Sequence, residues 1–260
     1  LLLSDVLPVF ENLGLRVIGE TSYKTQDRNE RTIWIHDFAL ESFDGRVIEL
    51  DSVRESLEEL LVRVWSGEAE NDAFNRLVLM AGMNWRQIVL LRAYARYMHQ
   101  IRISHSQDFI AGTLASQTDL ARLILQLFET RFDPDRTESV EQRLELQAKL
   151  QAEIAAGLEQ VDNLSEDRIL RRYVELICAT LRTNFYQGGD TPKPYISFKF
   201  RPAEISEMPL PLPEYEIFVY SPRVEGIHLR GGKVARGGLR WSDRLEDYRT
   251  EVLGLVKAQQ

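Results

Sequence analysis

The sequence predicts an α+β chain that is mostly helical, and three observations point there. From Asp51 to about Thr183 apolar residues recur at helical spacing. Before that stretch, and again after Gly188-Gly189, short segments alternate apolar and polar residues as strands do. Asn184 to Thr191, with its glycine pair, breaks the helical regime between them. The expected plan is a small α+β unit over residues 1–50, a helical domain over 51–184 with a long helical hairpin, and a β-rich segment over 185–260.

The first unit begins with a short helix that Ser4 can cap and Gly14 can end, with Val6, Leu7, Phe10 and Leu13 toward a core. Leu15 to Lys24 and Thr32 to Leu40 read as strands around a turn at Gln26-Asp27-Arg28-Asn29. His36 and Asp37 are adjacent in the second strand, so they point to opposite faces and form no acid/base pair.

The helical stretch divides at its own punctuation. Leu57, Leu60, Leu61 and Val64 form one stripe ended by Ser66-Gly67. A second helix is expected over Asn71 to Met83, and Asn84 caps a longer, amphipathic one whose Arg86, Arg92, Arg96 and Arg102 lie on its surface. Ser106 to Ser116 and Asp119 to Phe132 follow, closed by Asp133-Pro134. Thr137-Glu138 is expected to open a polar helix to about Val161, with Val140, Leu144, Ile154 and Leu158 inward. Asn163 and Ser165 restart the chain, and Glu166 to Thr183 completes the helical hairpin. The last third holds strands at Tyr195–Phe200, Tyr215–Val219 and Glu225–Leu229, with Pro209, Pro211 and Pro213 in an extended connection.

Composition excludes several classes. The formal charge of −8 argues against a general nucleic-acid binder. From Thr191 to Gln260 there are 11 Lys and Arg against 9 Asp and Glu, a net of +2, so the preceding residues carry −10. Cys178 is the only cysteine, which forbids an internal disulfide and fits a cytoplasmic location. It lies near an apolar stripe without a cation cluster and reads as a core residue. His99 and His105, six apart and without companions, make no zinc pattern, so no metal is expected. No run approaches the roughly 18 apolar residues of a membrane-spanning helix. Leu1-Leu2-Leu3, interrupted by Asp5, is no signal peptide; together with an end at Gln259-Gln260 that has no helix stop, it suggests a slice of a longer protein.

The chemistry concentrates near the C-terminus. Gly231-Gly232 and Gly237-Gly238 alternate with Arg230, Lys233, Arg236 and Arg240. Uncovered backbone N–H groups beside fixed cations suit a carboxylate or phosphate, so the residues predict a glycine loop acting as an anion cradle. A basic hairpin with solvated arginines is the bland alternative. Ser242 or Asp243, with Glu246, then offers a capping pattern for a helix carrying Leu245, Tyr248, Val252, Leu255 and Val256 inward, its positive end toward the glycines.

The segment from Tyr220 to Gln260 closely resembles the opening of the catalytic domain in the large, NAD-specific glutamate dehydrogenases of bacteria. The resemblance implies that residues 185–260 are the truncated start of an α/β catalytic domain. In smaller glutamate dehydrogenases a Lys-Gly-Gly-hydrophobic-Arg segment holds the substrate's side-chain carboxylate. Arg236-Gly237-Gly238-Leu239-Arg240 occupies that pattern, with Arg236 in place of the lysine. Arg236, Gly237, Gly238 and Arg240 are therefore the substrate-binding candidates. Lys257 lies close to where a second substrate lysine is expected, although the register puts that lysine slightly beyond Gln260. The catalytic lysine is expected downstream, so no catalytic residue is assigned here. The resemblance further implies oxidation of L-glutamate to 2-oxoglutarate and ammonia, with NAD held elsewhere because no Gly-x-Gly-x-x-Gly turn occurs. The isolated 260 residues are expected to be inactive. Residues 1–50 resemble an incomplete ACT-like regulatory unit, and homo-oligomers through the helical and regulatory segments are the expected assembly. A non-catalytic module that senses an amino acid and joins subunits is the competing reading.

Overall fold

The computed structural model describes residues 3–189, 191–241 and 247–259. The fold is α+β and mostly helical, with a two-stranded and a five-stranded sheet, both antiparallel.

Helix α1 (Leu3–Asn12) ends at Gly14, whose φ of +79° reverses the chain at little cost. Strands β1 (Leu15–Gln26) and β2 (Thr32–Ser42) pair from Leu15 opposite Ser42 to Gln26 opposite Thr32. Asp27 shapes their turn by accepting hydrogen bonds from the Asn29 and Arg31 amides at 2.8 Å each. Only the start of this hairpin joins the core: Leu15 is buried, whereas Ile33, Trp34 and Ile35 are exposed.

In the helical block, α2 (Leu50–Trp65) precedes a short 3₁₀ turn, Ala73–Arg76, capped by Asp72. Helix α3 (Leu77–Ala81) follows and ends at Gly82. The helix expected over 71–83 instead starts after Asp72, whose side chain accepts from the Phe74 amide, and opens with a 3₁₀ turn before it becomes α-helical at Leu77. Helix α4 (Trp85–Gln100) starts with a complete Asn84/Gln87 capping box. It is buried nearly all round, which corrects the expectation of an amphipathic surface helix. Arg92 in particular is fully buried; Asp72 accepts from its Nε at 2.7 Å and its Nη2 at 2.8 Å, and Asn75 Oδ1 accepts from Nη2 at 2.8 Å. Around it pack α5 (Gln107–Ser116), α6 (Thr118–Phe132), α7 (Val140–Leu158) and α8 (Leu164–Ala179). The cap of α7 is Ser139 with Gln142, not Thr137. Val140 and Leu144 are exposed while Ile154 and Leu158 are buried, so only the second half of α7 has an inward apolar stripe.

The expected helix to Thr183 stops at Ala179, and Thr180–Thr183 becomes β3. Thr180 Oγ1 donates to the Leu176 carbonyl at 2.7 Å and lies 2.9 Å from the Tyr94 hydroxyl, which ties the helix-to-strand transition to α4. The sheet continues with β4 (Ile196–Phe200), β5 (Tyr215–Ser221), β6 (Val224–Gly231) and β7 (Val234–Arg240), neighbours in that order. Its inward residues lie on α4: Tyr94 stacks on Phe198 at 4.3 Å and Tyr97 on Phe200 at 4.2 Å. Helix α9 (Tyr248–Lys257) packs on β6 and β7. One apolar cluster runs from Val9 to Val256, so helices and sheet share a core.

Candidate functional site

The hairpin β6–β7 turns at Gly232, where φ is +61°. Gly237 and Gly238 then lie inside strand β7, paired with β6, so they form no loop around an anion. Close packing is what requires glycine here. A Cβ on Gly237 would stand 2.6 Å from the Ile227 carbonyl oxygen, and one on Gly238 would stand 2.4 Å from the Tyr248 hydroxyl. The predicted open cradle is therefore corrected to an edge strand in close contact with α9.

Alternation along β7 places Arg236, Gly238 and Arg240 on one face. Arg240 is clamped: its Nη1 donates to Glu251 Oε1 at 3.0 Å, its Nη2 to Glu251 Oε2, and its guanidinium lies 4.5 Å from the Tyr248 ring centre. The hydrogen bonds from Arg240 hold the Glu251 carboxyl below the usual carboxylate range. Arg236 is exposed, and its recorded hydrogen bond is local, Nη1 to the Ala235 carbonyl at 2.8 Å. Lys257 is exposed in the last turn of α9. It stands nine residues beyond Tyr248, roughly 14 Å along the axis, and no contact recorded among the described residues joins it to Arg236. The structure thus sets Arg236, Gly238 and Arg240 on one face of β7 and Lys257 at the far end of α9. Ser242, Asp243, Leu245 and Glu246 of the expected capping segment lie outside the described residues. Of the expected apolar face of α9, Tyr248, Val252 and Val256 are buried, but Leu253 takes the place of Leu255, which is exposed.

Beneath this corner is a buried polar chain that sequence reasoning missed. Arg249 and Glu216 are both fully buried and pair through Nε–Oε1 and Nη2–Oε2 contacts of 2.8 Å each. The Arg249 amide donates to Gln100 Oε1 at 3.0 Å, and Gln100 Nε2 donates to Glu225 Oε2 at 2.8 Å. Four elements, α4, β5, β6 and α9, are joined in this way. Burial pushes the Glu216 carboxyl up, and Arg249 opposes it. A signal was available: Glu216 has the same strand parity as the inward Phe218 and Tyr220, a position where an acid needs a partner.

Other sequence candidates have quiet roles. His36 Nδ1 lies 2.8 Å from Glu20 and 3.1 Å from Ser22 across the hairpin, not against Asp37. His99 Nε2 contacts the His105 carbonyl at 2.7 Å, and no cluster of metal-binding side chains occurs among the described residues. Burial pushes the Cys178 thiol up. No helix among the described residues is long and apolar enough to cross a membrane.

Comparison with known proteins agrees along the whole chain. Residues 153–260 match a family model described as bacterial NAD-glutamate dehydrogenase, catalytic domain. Residues 69–134 match glutamate dehydrogenase helical motif 3, and residues 1–53 match the glutamate dehydrogenase ACT3 domain. The NAD-specific glutamate dehydrogenase of Pseudomonas aeruginosa is 58% identical over 262 residues, covering 100% of this chain and 16% of that protein. Its counterparts in Halomonas elongata and Mycobacterium tuberculosis are 55% and 42% identical, each over 99% of this chain and 16% of their own length. The chain belongs to the family of large bacterial NAD-specific glutamate dehydrogenases and spans about one sixth of the length of these relatives.

Proposed function

We propose that this chain is part of an enzyme that oxidises L-glutamate to 2-oxoglutarate and ammonia with NAD, and that its β7–α9 corner binds a substrate carboxylate. The carrying observation is the division of labour on one face of β7. Arg240 is committed to Glu251 and fastens α9, whereas the neighbouring Arg236 presents an exposed guanidinium with no carboxylate paired to it among the described residues. A planar guanidinium can hold a carboxylate through two parallel hydrogen bonds. Arg236 is thus the binding cation, Arg240 a positioning residue, and Gly238 allows the helix to lie close enough for that positioning.

NAD does not fit the described residues. The five-stranded sheet is antiparallel, and the sequence has no Gly-x-Gly-x-x-Gly turn of the kind that opens a dinucleotide-binding βαβ unit. We place the cofactor and the catalytic lysine on parts of the protein outside these 260 residues. We also assign residues 185–260 to the catalytic part, 51–184 to a helical domain and 1–50 to a regulatory unit. The match of residues 1–53 to an ACT3 model and the exposed apolar residues of its hairpin support a second role in amino-acid sensing or homo-oligomer assembly. A cytoplasmic location is consistent with the lone cysteine.

Changing Arg236→Ala in the full-length enzyme should raise the KM for glutamate about tenfold or more, as expected for loss of a charge-assisted hydrogen bond of about 1.5–3 kcal/mol. Arg236→Lys should recover part of that loss. A KM unchanged in Arg236→Ala would remove this residue from the site.

A further inference from the structure

A second candidate site lies where α2 ends, α4 begins, the 191–195 loop crosses and the β5–β6 turn closes. It is a cavity of about 320 Å³, lined among others by Arg63, Trp85, Arg86, Lys193, Tyr195 and Tyr220. That size is at the lower end of small-molecule sites.

The charges in it do not balance. Arg63 is neutralised by Glu59 and by Glu68, the one acid on the cavity wall among the described residues. Arg86 has no such partner among the described residues. Its Nη1 donates to the Lys193 carbonyl at 3.0 Å, its Nη2 reaches the Phe185 carbonyl at 3.5 Å, and its buried Nε finds no acceptor. Burial pulls its pKa down to about 10, and no acid among the described residues opposes this. Arg86 is also the second residue of α4, where the helix dipole is positive and a cation is disfavoured. Lys193 adds an exposed cation with no ion pair among the described residues. A partly desolvated guanidinium at the positive end of a helix, beside neutral carbonyls and within 5.8 Å of the Trp85 and 5.2 Å of the Phe185 ring centres, has no counter-charge among the described residues, and an incoming anion would supply one. Apart from Thr191 and Ser221, the rest of the wall is aromatic or apolar, with Trp85, Tyr195 and Tyr220 among its residues.

We propose that this cavity binds a small carboxylate with a flat or apolar body, its carboxyl group held by Arg86 and Lys193 and its body against Trp85 and Tyr195. Binding involves no covalent step.

The test is isothermal titration of the full-length protein with benzoate, benzyl alcohol and inorganic phosphate. Benzoate should bind saturably and benzyl alcohol should not. Arg86→Gln should weaken benzoate at least about tenfold, the scale of a lost charge-assisted hydrogen bond. Lys193→Gln, on an exposed loop where folding is not at risk, should weaken it in the same direction. Arg236→Ala should leave benzoate binding unchanged, which separates this site from the β7–α9 corner. Absence of saturable benzoate binding, benzoate binding indifferent to both Arg86→Gln and Lys193→Gln, or phosphate binding in its place would each overturn the proposal.

Discussion

Replacing Arg249 by methionine tests whether the buried ion pair holds α9 onto the sheet. Arg249 and Glu216 are both fully buried, and methionine fills much of the arginine's volume while removing the cation. Glu216 would keep its place with no counter-charge, and breaking a buried pair in this way costs about 3–5 kcal/mol. For a chain of this size each kcal/mol lowers the unfolding midpoint by roughly 2–4 °C, so the drop should be on the order of 10 °C. The pH dependence carries the sharper test. Burial already raises the Glu216 pKa in the folded protein, and Arg249 is the group that opposes the rise. In Arg249→Met the folded carboxyl therefore titrates higher still, above its unfolded value. The folded state then binds more protons than the unfolded state, and stability falls as pH rises through that window. The deficit relative to the parent should be larger at pH 8 than at pH 5, because protonation of Glu216 on lowering the pH removes its uncompensated charge. Circular dichroism melts of the two chains at both values measure it. A midpoint unchanged at pH 8, or a deficit equal at both pH values, would refute the claim that an uncompensated Glu216 charge causes the loss. Adding Glu216→Leu should restore most of the stability, since an apolar pair removes the charge as well.

Two further outcomes follow from the same corner and its frame. Gly238→Ala puts a Cβ 2.4 Å from the hydroxyl of buried Tyr248 and should cost about 1–3 kcal/mol in urea unfolding, partly recovered by Tyr248→Phe; an unchanged or higher midpoint would contradict the close approach. Cys178, whose thiol burial pushes up, should react with iodoacetamide at pH 7.5 at least about tenfold more slowly in the folded chain than in urea, and equal rates would place the thiol outside the core.

Much of the local structure was readable from neighbours a few residues apart. Asn84 announced α4, Ser106 announced α5, Gly14 ended α1, and the alternation of Ile196, Phe198 and Phe200 gave β4 its inward face. Within α4, however, apolar spacing could not distinguish a surface helix from one covered on nearly every side, because that depends on how many elements pack around it. Arg92 reads as a solvated charge until the 3₁₀ turn supplies Asp72 and Asn75. The end of α8 likewise depends on a partner, since Thr180 leaves the helix where β4 offers a ladder and Tyr94 a hydroxyl.

By itself the sequence determined the class of fold, most helix and strand positions, and the Arg-Gly-Gly-Leu-Arg run whose resemblance pointed to a dehydrogenase. Those follow from periodicity, capping and motif spacing, which act over a few residues. Tertiary structure alone decided that the glycines are a packing requirement in a strand, that Arg240 is spent on Glu251 while Arg236 is not, and that Glu216 faces Arg249. Each depends on which side chain is delivered from another element across as many as 33 positions of chain, where hydrogen-bond geometry and burial, not spacing, select the partner.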